Sequence, residues 1–76
     1  MSQPDRALAR LQLWQMLEKR AERAYKRAMG ASDHAHSHST YLAARERERD
    51  ASEHVVWCER QRRAAQHTYE TQRVSA

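Results

Sequence analysis

Glycine, proline and cysteine occur once each in these 76 residues, and phenylalanine and isoleucine are missing altogether. A single cysteine, Cys58, excludes an internal disulfide framework and points to a reducing compartment, the cytoplasm. No apolar run approaches the ~20 residues that span a bilayer. The opening Met1-Ser2-Gln3-Pro4-Asp5 also lacks the apolar stretch of a signal peptide, so no membrane is expected among the partners. Leu and Val together number only eight, a shortage that in a chain 32% charged would ordinarily mean disorder.

What is present argues for helix instead. Ala, Glu, Lys, Leu and Arg make up 39 of the 76 residues, the composition of coiled coils and long helices, and one Gly and one Pro leave little to interrupt them. The expected fold class is all-α, a single domain at this length.

Ser2 followed by Asp5 resembles a capping box, with Pro4 in the first turn where its missing N–H costs nothing. Gly30 can take the left-handed conformation that ends a helix. This reading places helix 1 at about 4–29, a turn at about 30–38, helix 2 at about 39–72, and a frayed C-terminus. Within helix 1, Ala7, Leu11, Trp14, Glu18, Ala21, Tyr25 and Ala28 alternate in steps of four and three, the spacing that holds one seam against a partner helix. Helix 2 repeats it with Tyr41, Ala44, Glu48, Ala51, Val55, Cys58, Arg62, Ala65 and Tyr69. Two matched seams in one short chain predict an antiparallel, coiled-coil-like hairpin.

Folding back around His34 and Ala35 pairs Ala28 with Tyr41, Tyr25 with Ala44, Trp14 with Val55 and Leu11 with Cys58. It also sets Glu18 against Ala51 and Glu48 against Ala21. Large residues then mostly meet small ones, as close packing requires. A rival register, one heptad away, follows if Ser32 caps helix 2 directly. In either, residues from about 66 onward lack a helix 1 neighbour.

The seams are rich in alanine, so a lone hairpin gains little at ~25 cal/mol per Å² of buried apolar surface. Leu8, Leu13 and Met16 lie off the first seam and Val56 and Trp57 off the second, near the same end. They predict a second apolar patch, the contact surface for a protein partner or for homodimerisation into a four-helix bundle. With Trp14, Tyr41 and Tyr69 these residues form the expected interface, because Trp and Tyr dominate interface energetics.

All of the +4 net charge arises in residues 1–30. Lys19, Arg20, Arg23, Lys26 and Arg27 point away from the seam as a basic face for an acidic partner or for phosphates. His34 and His38 have i,i+4 spacing, the weak outline of a metal site, but too few ligands surround them, and no metal or cofactor is expected. No Gly-rich phosphate loop, paired-cysteine motif or zinc-protease helix motif occurs, so the chain is not expected to be an enzyme. In outline it is similar to small helical proteins of bacterial secretion systems and of phages that inhibit host regulators, although no motif carries that likeness. The expected function is a small cytoplasmic interaction module, an adaptor, inhibitor, anti-activator or chaperone. The alternative is nucleic-acid binding by the basic face of helix 1.

Overall fold

The computed structural model of the protein describes residues 3–75, which form two α-helices and no strand. Helix α1 spans Gln3–Asp33 and α2 spans His38–Ser75, joined by a tight turn at residues 34–37. Packed along their lengths, they make a rod of 58 × 14 × 13 Å. Any cap from Ser2 lies outside the described residues.

The seam forms where the four-three rhythm places it. Ala7, Leu11 and Ala21 of α1 are buried, as are Ala44, Cys58 and Ala65 of α2. Trp14, Glu18, Tyr25, Ala28, Glu48, Ala51, Val55, Arg62 and Tyr69 are half-buried along the same two lines.

Three expectations are corrected. First, helix α1 does not stop near Met29. It continues through Gly30, which has an ordinary negative φ, and the amide of His34 still donates to the Gly30 carbonyl at 3.2 Å. One more seam step, from Ala28 to the buried Ser32, gives that last turn a place in the packing. This burial outweighs glycine's poor helix propensity of about 1 kcal/mol. Ser32 therefore does not cap α2. Ser37 does: its Oγ accepts the Thr40 amide at 3.2 Å and its carbonyl accepts the Tyr41 amide at 2.8 Å. At the other end α2 runs on to Ser75, past the expected fray at 72.

Second, the turn lies close to the one expected around His34 and Ala35, but Glu18 takes a polar partner further along α2 than Ala51. Arg62 Nε donates to Glu18 Oε2 at 2.7 Å across the seam. Trp14 likewise meets Trp57, two residues along α2 from the Val55 expected opposite it. Pairing by size alone had overlooked that Glu18 and Arg62, both interrupting their seams, attract each other.

Third, both ends differ from expectation. Tyr41, expected within the seam, stands 44% exposed at the start of α2. The far part of α2 is covered instead of bare: Ala65 is buried, and Thr68 and Gln72 share a groove with Arg6, Ala7 and Arg10. Tyr69 is half-buried, its ring centroid 6.0 Å from the Arg73 guanidinium carbon.

Candidate interaction face

A helical hairpin has two flanks, each made by the stripe beside the seam on both helices. The residues one position before each seam residue of α1 are Arg6, Arg10, Leu13, Leu17, Arg20, Ala24 and Arg27. On α2 the corresponding stripe is Thr40, Ala43, Arg47, Asp50, His54, Trp57, Gln61, Ala64 and Thr68. The antiparallel fold brings these two stripes to the same side. Arg10 and Thr68 line one shallow groove there, and Leu17, Arg20, Ala24, Arg27 and His54 line another, about 610 Å³, with Ala21 and Arg23.

At the middle of this flank the rings of Trp14 and Trp57 meet edge to face, with centroids 5.3 Å apart and planes at 80°. His54 stacks on Trp57 at 5.9 Å and 19°, and its Nε2 lies 3.7 Å from Cys58 Sγ. In contact with two rings, Trp57 is nevertheless 50% exposed, and Leu13 on the same flank is 48% exposed. The indole is fixed in place by its own chain while half its surface remains in water. That arrangement pre-orders a side chain for contact at little entropic cost.

Charge divides unevenly between the flanks. The Trp57 flank carries five arginines, Arg6, Arg10, Arg20, Arg27 and Arg47, against one acid, Asp50, an excess equal to the +4 of the whole chain. Among the described residues none of these arginines takes part in an ion pair. The ion pairs lie elsewhere, as Arg45–Glu48, Arg49–Glu46 and Arg63–Glu59 on α2 and Arg62–Glu18 across the seam. The opposite flank mixes Lys19, Lys26, Arg45, Arg49 and Arg63 with Glu22, Glu59 and Glu70.

The expected contact residues are accordingly distributed over more than one surface. Leu13, Trp14 and Trp57 come together. Leu8 and Val56 belong to the opposite flank, and Met16, 48% exposed, points outward between the two on α1. The expected basic face also divides: Arg20 and Arg27 join the Trp57 flank, Arg23 stands on its rim, and Lys19 and Lys26 lie on the mixed flank. All five are exposed. Leu17, His54, Arg6, Arg10 and Arg47 were not foreseen in the site. The seam's own rhythm shifted back by one residue would have found them.

The histidines at the turn do not share a helical face. His34 follows the end of α1 and His38 begins α2, so the turn separates them, and the described residues hold no cluster of three or more metal-ligating side chains. Cys58 and His54 are in contact, but the thiol is only 1% exposed. Burial pushes the Cys58 thiol upward and the Glu18 carboxylate adds to the effect, the opposite of what a nucleophile needs. Among the described residues no helix is long and apolar enough to cross a membrane. Compared with family models, curated proteins and solved structures, the chain matches none.

Proposed function

We propose that this chain is a non-catalytic interaction module that binds and regulates a protein partner through the flank centred on Trp57. One observation carries the reading: the hairpin buries its small apolar residues and leaves its large ones in water. Its buried hydrophobics are four alanines, a cysteine and one leucine, while Leu13, Met16, Val56 and Trp57 are exposed. A chain this short, with so little aliphatic core, gains stability from whatever covers that surface. The open grooves between the helices suit a macromolecular surface better than a small substrate, which favours enclosed pockets. Retention of one reduced, buried cysteine suits the cytoplasm.

The mixed-charge flank supports a second contact, pairing of two copies into a four-helix bundle. Val56 and Leu8 sit there among charges of both signs, which a two-fold axis can match with their opposites.

Affinity capture from native host lysate tests the first reading. A protein retained by the wild-type chain and resistant to nuclease treatment should be lost with Trp57→Ala, a cost of about 2 kcal/mol or more for a central aromatic contact. Helicity by circular dichroism should change little, because Trp57 stands outside the seam. Equal capture by wild type and Trp57→Ala would remove this flank from consideration.

A further inference from the structure

The Trp57 flank has more structure than an apolar patch. Along α1 its apolar window, Leu13 and Leu17, is bracketed by Arg10 before and Arg20 after. The ten steps from Arg10 to Arg20 span about 15 Å, nearly three helical turns. Trp57 and His54 fill the same window from α2, and further arginines, Arg6 on one side and Arg27 and Arg47 on the other, extend each basic end.

We propose that the occupant of this flank is an acidic amphipathic segment of another protein, apolar at its centre and carrying Asp or Glu at both ends. This deepens the protein-binding role proposed above and rests on it. Three features select this occupant. The flank's cations lack partners within the chain among the described residues, so an incoming carboxylate need not displace an existing ion pair. They are all arginine, whose guanidinium fork holds carboxylates in two-point contacts and loses little hydration on burial. Trp and Arg without Lys is also the composition of protein contact surfaces, where a desolvated centre is ringed by polar groups.

The alternatives fit less well. A second copy on this flank, related by a two-fold axis through Trp57, would set arginine-bearing ends over arginine-bearing ends with only Asp50 to offset them. A nucleic acid strand needs a continuous track of cations beneath its phosphates and flat rings beneath its bases. Here the track is interrupted by about 15 Å of leucine and tryptophan surface, and leucine offers a base no ring to stack on.

Selection from a library of random displayed peptides of about 16 residues, four to five helical turns, tests this without presuming a sequence. The bait is the full wild-type chain. Enriched peptides are expected to place Leu, Ile, Phe or Trp at three-four spacing in the middle, with Asp or Glu at both ends. Remade synthetically, they should bind more weakly as salt rises, lose about tenfold in affinity to the Arg10→Gln/Arg20→Gln variant, and lose more to Trp57→Ala. Both arginines are exposed, so their replacement spares the fold.

Enriched peptides that depend on Trp57 but carry no excess of acid would overturn the acidic occupant and leave the protein-binding role standing. No enrichment, or enrichment indifferent to Trp57, would overturn both. A single-stranded oligonucleotide that outcompetes every recovered peptide at the same salt, and is released by the arginine variant, would replace the peptide with a nucleic acid.

Discussion

At residue scale the clearest test is the glycine that fails to end a helix. Gly30 lies inside α1 with an ordinary φ, and a Cβ built on it meets nothing within 4 Å. It therefore contributes the entropy cost of glycine without its conformational benefit. Gly30→Ala should raise stability by about 0.5–1 kcal/mol, seen as a higher urea midpoint with unchanged slope. A loss of stability would place a left-handed cap at residue 30 after all. Cys58 gives the second test. The folded chain holds the thiol proton to higher pH than the unfolded chain, because burial and then Glu18 disfavour the thiolate. Above the ordinary thiol range the unfolded state releases a proton that the folded state keeps. Stability should therefore fall as pH rises through that range, and level off once the folded thiol also ionises. Urea midpoints compared between neutral and alkaline pH should show a smaller fall in Cys58→Ala than in wild type. Parallel falls would mean the thiol is not shielded in the fold.

At the scale of the two helices, an alanine-rich seam is tolerant of register: sliding by seven residues replaces one small contact with another. The Glu18–Arg62 pair supplies the discrimination, since both side chains are mostly buried and the bond is 2.7 Å. Glu18→Gln should cost about 1–2 kcal/mol by leaving Arg62 partly buried without its anion. The Glu18→Leu/Arg62→Leu double variant should recover that stability or exceed it, since apolar replacements of such pairs are commonly neutral or favourable. Its register should then become plural. Nuclear Overhauser contacts between the indoles of Trp14 and Trp57 would divide among several sets of signals, whereas one unchanged set would deny the ion pair this role. The same physics explains what could be read from the sequence. The seam was legible, because most four-three positions are held by apolar side chains in local order. The Glu18–Arg62 contact was not, because it joins two charges forty-four residues apart. The end of α1 was obscured by a glycine that marks ends elsewhere, while the cap at Ser37 sat among serines and histidines without an apolar cue. Of the site, Leu13, Trp14 and Trp57 stood out as off-seam apolar residues. Their separation from Val56 and their union with Arg6, Arg10 and Arg47 required knowing which stripe lies on which flank.

For the whole molecule, the two flanks make separable statements about assembly. A flank of a rod 58 Å long and 13–14 Å across offers on the order of 800 Å², about what each partner contributes to a standard interface. Two such surfaces on one small chain allow self-pairing and partner capture at once, provided they use opposite sides. The charge distribution assigns them: like charges oppose two-fold pairing on the Trp57 flank, and mixed charges permit it on the Val56 flank. Sedimentation equilibrium should therefore give twice the 9.0 kDa chain mass for wild type. Val56→Lys, which places a cation at the centre of the self-paired side, should return the single-chain mass, and Trp57→Ala should leave the doubled mass intact. Raising salt should alter the dimer little, because its opposite charges are locally matched, while weakening capture of an acidic partner through the arginine-rich side. A dimer abolished by Trp57→Ala and preserved in Val56→Lys would reverse the assignment: two copies would then meet over the aromatic surface, and its arginines would require some source of negative charge other than a bound partner.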